Sequence, residues 1–282
     1  MLDFGPQPLR AEPTRKVDPA HMAETPDEGP DWVKGMADAV QTAGSAHFWD
    51  ALTKSISSIV ENHGIVVFRY IGGSEPALIF SNFNAQVSRG AFREYRTRAY
   101  LLDPMYLAFQ ERRTGGTYLL RDLAADRFFH SEYYRTYYAQ TGVADELSLF
   151  CWIDADDLIM ISLVRSRQSP AFPAAVVRFL KRICTLICSL VGRHVSLVPA
   201  TQMPKTETAL RIGGDDLLTQ RESDIANLIL RGHSSPSMAL ILGISVETIK
   251  VHRRHIYQKL AVSSQAELFA LAMNRPGGSD KG

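Results

Sequence analysis

Residues 217–268 read LLTQRESDIANLILRGHSSPSMALILGISVETIKVHRRHIYQKLAVSSQAEL. Thr219 and Glu222 stand in the Thr-x-x-Glu spacing of a capping box: the hydroxyl accepts from the N–H three residues on, and the carboxylate accepts from the first N–H. Ile225, Leu228 and Ile229 recur behind it at three- and four-residue steps, which gives one apolar helix face. Gly232 follows Arg231 and supplies the left-handed residue that closes the helix. A second short helix is expected from Pro236 to Leu242, with Pro236 in its first turn and Met238, Leu240, Ile241 and Leu242 as packing groups. Gly243-Ile244-Ser245 makes a tight turn, and Ser245 caps a third helix from Val246 to Leu260. Ile249, Ile256 and Leu260 line its inner face. Lys250, Arg253, Arg254, His255 and Lys259 face outward, with no acidic residue between Thr248 and Leu260. Ser264-x-x-Glu267, another capping box, starts a last helix carrying Leu268, Leu271 and Met273.

Helices crossing steeply at a glycine turn, the later one basic on its outer face, describe helix-turn-helix geometry. Such a unit lays a helix in the major groove of DNA. The segment resembles the C-terminal DNA-binding domain of the LuxR family (LuxR/NarL/FixJ type). The matching residues are Leu218, Thr219, Arg221, Glu222, Gly232, Ala239, Leu242, Ile244, Ser245, Thr248, Lys250, His252, Lys259, Leu260 and Val262, without a gap. The resemblance implies that Lys250, Val251 and Arg254 face base edges and nearby phosphates. It places Ser245 and Thr248 near the backbone at the helix entry; Arg253 and Lys259, from the basic outward face, complete the DNA-facing set. An arginine donates two hydrogen bonds to guanine, and valine methyls meet a thymine methyl; lysines and a helix N-terminus suit phosphates. His252 is expected to pack within the unit. One departure stands out: the family's Lys-Glu-Ile-Ala run in the second helix is replaced by Pro236-Ser237-Met238-Ala239, which removes a lysine and a glutamate.

The chain has 282 residues, 45% hydrophobic and 22% charged, and suits one medium and one small domain. Its formal net charge of +1 makes the positive charge a local feature. No apolar stretch approaches the ~20 residues that cross a bilayer, and residues 1–30 lack the core segment of a secretory signal. A cytoplasmic protein without membrane association is expected. Three cysteines fit a reducing compartment. Cys184 and Cys188 lie one helical turn apart and Cys151 falls in a strand. Without a nearby histidine they are expected to be buried small apolar groups.

Five regions follow from the pattern: a proline-rich tail (1–30), a sensory, ligand-binding and dimerisation domain (31–195), a Pro/Gly-containing linker (196–215), the helix-turn-helix domain (216–275) and a short tail (276–282). Within the second, residues 32–61 have a helical pattern. Strands are expected at 65–71 and 76–80, joined at Gly72-Gly73. Residues 91–113 read as helical in two pieces broken near Asp103-Pro104. A strand at 117–120, a helix at 126–140, a hairpin at 145–153 and 158–164, and a helix at 172–194 complete the order. The fold class is therefore an α+β N-terminal sensory domain, an antiparallel sheet flanked by helices, plus an all-α four-helix DNA-binding domain. The first resembles GAF/PAS-type sensors and LuxR autoinducer-binding domains.

Tyr95 through Tyr100-Leu101-Leu102-Asp103-Pro104 resembles the tyrosine-then-Asp-Pro segment of autoinducer-binding domains, and Tyr118 lies about where that family carries a tryptophan. The resemblance implies that Asp103 accepts from a ligand amide while Tyr95, Tyr100 and Tyr118 wall the pocket. The family's upstream Trp and Tyr pair is not reproduced. Asp103 with Pro104 also reads as a helix cap. Phe128, Phe129, Tyr133, Tyr134, Tyr137 and Tyr138 recur at helical spacing as core, dimer interface or ligand cage.

These readings converge on a quorum-sensing-like homodimeric regulator that binds double-stranded DNA at a pseudo-palindromic operator and responds to a small-molecule effector, with RNA polymerase as a further partner. Activation is the commoner outcome in the family. A ligand-independent dimeric regulator is the alternative. An enzyme is not expected: the chain has no glycine-rich phosphate loop, Gly-x-Ser-x-Gly elbow or His-Glu-x-x-His helix. Asp154, Asp156 and Asp157 read as a hairpin turn, and no catalytic residue, cofactor or metal ion is assigned.

Overall fold

The structure is a computed structural model that describes residues 30–72, 74–83, 95, 99–138, 142–198 and 217–274. Two helices come first, α1 (Pro30–Gln41) and α2 (Phe48–Ile59). The sequence pattern runs through both, but Gly44 adopts φ +83°, outside the helical range, and divides them. Strands β1 (Gly64–Ile71) and β2 (Ala77–Ser81) form a hairpin. A 3-10 turn at Ala99–Leu102 leads into α3 (Pro104–Gln110) and β3 (Gly116–Leu119). The long hairpin β4 (Val143–Asp154) and β5 (Asp157–Ser166) precedes α4 (Ala174–Leu197). The strands form one antiparallel sheet in the order β2-β1-β5-β4-β3.

Side chains alternate across the sheet with a period of two. Ile65, Val67, Leu147, Leu149, Ile159, Ile161 and Leu163 join α1, α2 and α4 in one apolar layer. Val66, Phe68, Tyr70, Phe150, Leu158 and Met160 face the opposite layer, built from α3 and the aromatic segments around it. The helix expected at 126–140 is not continuous: a 3-10 turn at Phe128–His130 is followed by a π-helical turn at Tyr134–Tyr138. The Ser131 hydroxyl accepts from the Tyr134 N–H at 3.1 Å and starts the second turn afresh.

The cysteines correct the sequence reading. Cys151 and Cys188 are disulfide-bonded, and only Cys184 carries a free thiol. Strand β4 turns Cys151 toward α4, so the pair spans 37 residues and is invisible in the spacing along one helix.

Four helices follow: α5 (Gln220–Leu230), α6 (Ser235–Leu242), α7 (Val246–Lys259) and α8 (Gln265–Asn274). The Thr219/Glu222 capping box is formed in both directions. Gly232 at φ +88° and Gly243 at φ +64° end α5 and α6. Ser234 caps α6 and Ser245 caps α7. Ile225, Ile229, Met238, Ile249, Ile256 and Leu268 fill the centre. Leu240 and Ile241 do not pack as expected; they are 85% and 54% exposed, because the inward face of the short α6 is taken by Met238 and Ala239. The α5–α6 turn rests on the N-terminal region: the Arg127 N–H donates to the Gly232 carbonyl at 3.0 Å, and the Ser234 N–H donates to Asp126 Oδ1 at 3.0 Å. The expected tails and linker lie outside the described residues, apart from Pro30 and residues 196–198. Among the described residues no helix is long and apolar enough to cross a membrane.

Candidate functional site

Helix α7 holds the first group of candidate residues. Ser245 Oγ accepts from the Thr248 N–H at 3.0 Å, and the two hydroxyls lie 2.8 Å apart on the exposed helix entry. Ile249 and Ile256 are fully buried and set the rotation of the helix. That rotation leaves Lys250, Val251 and Arg254 exposed. Lys250 Nζ sits 2.8 Å from Glu247, an exposed pair of the kind that contributes little and yields easily to a phosphate. Arg253 is half-buried, donating to Ser235 Oγ at 3.4 Å with its guanidinium over the Tyr257 ring.

Lys259 is placed differently from the rest of its set. Its ammonium donates to Glu222 Oε2 at 2.6 Å. That bond, followed by the one from the Thr219 N–H, holds the buried Glu222 carboxyl down to about 2. Lys259 therefore ties α7 to α5. His252 Nδ1 is buried without a hydrogen-bond partner.

The second group lies on the α3 side of the sheet. Parity along β1, β4 and β5 turns Tyr70, Glu146, Ser148 and Ser162 to that face. Asp103 caps α3, with Oδ1 accepting from the Met105 N–H at 2.9 Å. Its other oxygen accepts from the Tyr95 hydroxyl at 2.6 Å, and the Tyr70 hydroxyl is 2.8 Å from that of Tyr95. Tyr138 donates to Glu146 Oε2 at 2.8 Å, Ser148 donates to Oε1 at 3.1 Å, and the Ser148 and Ser162 hydroxyls are 2.7 Å apart. The helix cap expected of Asp103 is formed, and its second oxygen is held by Tyr95.

Burial, and then the charge of Glu146, raise the Asp103 carboxyl to about 7. Burial also raises Glu146. The Tyr70, Tyr95, Tyr133 and Tyr138 hydroxyls are pushed well above their ordinary value, first by burial and then by Asp103. Among the described residues no lysine, arginine or histidine forms an ion pair with either carboxylate.

Tyr100 is buried with its ring edge-on to Tyr106 at 4.8 Å. Tyr118 stands apart from the hydrogen-bonded cluster: its hydroxyl donates to the Thr114 carbonyl at 2.8 Å and its ring packs on Phe150. Sequence reasoning missed Glu146, Tyr70, Ser148 and Ser162. The signal was available, since Glu146 and Ser148 are polar at alternate positions in line with the apolar Phe150 of the same strand.

Residues 216–272 match the family model for bacterial regulatory proteins of the luxR family. The C-terminal region is a LuxR-family helix-turn-helix domain. A protein named as an HTH-type transcriptional regulator in the exeN 3′ region of Aeromonas salmonicida is 29% identical over 184 residues, covering 61% of this chain and 93% of that one. The transcriptional regulatory protein MctR of Rhizobium johnstonii is 39% identical over 61 residues, 22% of this chain and 28% of its own length. The crystal structure of the VqsR LBD domain from Pseudomonas aeruginosa superposes with a TM-score of 0.54 at 21% identity, covering 61% of this chain and all of that one. That likeness shows the fold of the N-terminal region. The LuxR-type match is thus confined to the C-terminal region, and the region ahead of it shares the fold of that LBD domain.

Proposed function

We propose that the chain is a cytoplasmic transcriptional activator that reads DNA through α7 as a homodimer and is controlled by a small molecule held in its N-terminal domain. The observation that carries the DNA-reading role is the exposed row Lys250, Val251 and Arg254 on a capped helix whose opposite face is anchored by Ile249 and Ile256. Ser245 and Thr248 are assigned to the phosphates at the helix entry, and Arg253 to the flank. Lys259 is withdrawn from the DNA-facing set, because Glu222 already holds its ammonium.

One such unit contacts a short stretch of DNA, so pairing on two half-sites about one helical turn apart supports a pseudo-palindromic operator. The final helix is proposed to contribute to pairing. Leu268 is buried within its own domain, which leaves Leu271 and Met273, both half-buried, for that role. RNA polymerase is the partner that an operator-bound activator engages. Ligand control rests on the buried polar cluster at Asp103, with Tyr95 and Tyr100 in its wall and Tyr118 at most at its margin. An effector acts only if it binds one dimer arrangement better than another.

Lys250→Ala with Arg254→Ala should abolish sequence-specific gel shifts of operator DNA by a protein whose thermal unfolding is unchanged. Binding unaltered by the double substitution would show that another surface reads the DNA.

A further inference from the structure

Two carboxylates, Asp103 and Glu146, are 3% and 6% exposed on one face of the sheet. The Tyr138 hydroxyl donates to Glu146 and the Tyr95 hydroxyl to Asp103, and the Tyr95 and Tyr138 rings are joined through those of Tyr137 and Tyr133. An ionised carboxylate removed from water is costly unless a cation or enough hydrogen bonds compensate it. Here the donors are tyrosine and serine hydroxyls and one backbone N–H, and no cation among the described residues pairs with either group. Each carboxylate accepts at about four positions, so accepting capacity remains on both.

A third polar group belongs to the same aromatic cluster. Tyr133 is 1% exposed, and its hydroxyl is buried with no hydrogen-bond partner. It lies near enough to Asp103 and Glu146 to feel the charge of both. Around these atoms stand the rings of Tyr95, Tyr133, Tyr137 and Tyr138, with neighbouring centroids 5.7–5.8 Å apart. Aromatic faces attract an organic cation within about 6 Å.

We propose that this cluster holds the ammonium group of a small organic amine, with Asp103, Glu146 and the Tyr133 oxygen each accepting one of its N–H bonds. The inference rests on the ligand-controlled reading above and names the chemical class of the effector. An ammonium group has three donors and a positive charge, which matches three acceptors and the uncompensated carboxylates. A neutral acyl amide offers a single N–H: it satisfies Asp103 and leaves Glu146 and Tyr133 as they are. In the absence of a cation the pair retains a proton, in keeping with the raised Asp103 value; binding an ammonium ionises both groups and expels that proton.

The test is thermal unfolding of the full-length protein with isobutylamine, phenethylamine and tyramine, each beside its N-acetyl derivative, and with N-octanoyl-homoserine lactone. An amine should raise the unfolding temperature while its N-acetyl form does not. Calorimetry of that amine in two buffers of different ionisation enthalpy should register proton release near pH 7. Glu146→Gln and, as the gentler change, Tyr133→Phe should weaken its Kd, at least tenfold for the first, while DNA binding is retained as a check on folding. Stabilisation by the lactone or the N-acetyl compounds alone would overturn the ammonium assignment and leave ligand control standing. Stabilisation by none of the compounds, or by amines equally in wild type and Glu146→Gln, would also overturn it.

Discussion

Glu222 and Asp103 are both buried carboxyls, yet their environments move them in opposite directions. Lys259 and the Thr219 N–H favour the ionised form of Glu222 and lower it from 4.5 to about 2. Burial without a cation raises Asp103 from 3.8 to about 7. The consequences for stability have opposite sign. The contribution of Glu222 is complete above its unfolded value and is lost as the pH falls from 4.5 toward 2. Asp103 binds its proton more tightly when folded, so stability declines as the pH rises from about 4 through 7. Unfolding temperature should therefore climb between pH 2 and 4.5 and then fall toward pH 7. Glu222→Gln should flatten the lower limb, and Asp103→Asn the upper. A profile for Asp103→Asn parallel to that of the wild type between pH 4 and 7 would contradict the assignment.

At the scale of elements, α7 divides its charges between two duties. Lys250 and Arg254 are exposed, so their removal should leave stability nearly unchanged, whereas Lys259 secures a neighbouring helix. Lys259→Ala leaves the Glu222 carboxylate with its Thr219 bonds alone and should destabilise the protein by about 1 kcal/mol in chemical denaturation, an effect absent from Lys250→Ala. Removing one phosphate contact should lower the slope of log affinity against log salt by about 0.9. Equal stability of the two variants would remove the distinction.

The helix-turn-helix elements were legible because local signals agree: capping boxes, glycine closures and a 3.6-residue apolar period all lie within single helices. The strands were legible from alternation. What escaped the sequence reading depends on contacts between distant segments. The Cys151–Cys188 bond joins β4 to α4, Tyr138 meets Glu146 only once the sheet is covered, and the Ser131 cap interrupts an aromatic pattern that otherwise reads as one helix. Leu240 and Ile241 were misplaced because α6 is too short for its apolar composition to say which face is inward.

At the scale of the whole molecule, the α5–α6 turn leans on the segment that carries Phe128. A Cβ added to Gly232 would stand 2.9 Å from the Phe128 Cα, while one on Gly243 meets nothing within 4 Å. Both glycines have positive φ, so alanine at either should cost about 1–2 kcal/mol of backbone strain. Gly232→Ala should cost more than Gly243→Ala, and the excess should vanish in the separately expressed helix-turn-helix domain if that domain folds alone. Equal losses in the full chain would show that the contact is not formed in solution. Phe128 in turn packs against Tyr133 and Tyr138, so the contact joins the α5–α6 turn to the aromatic cluster of the N-terminal region.

The central claim is that α7 reads a DNA sequence. The most direct measurement is selection of bound oligonucleotides from a randomised duplex pool by the full-length protein, with and without cell extract, beside the Lys250→Ala/Arg254→Ala variant. The account predicts enrichment of a two-fold related sequence by the wild type and none by the variant; a pool left unenriched by the wild type under both conditions would contradict it.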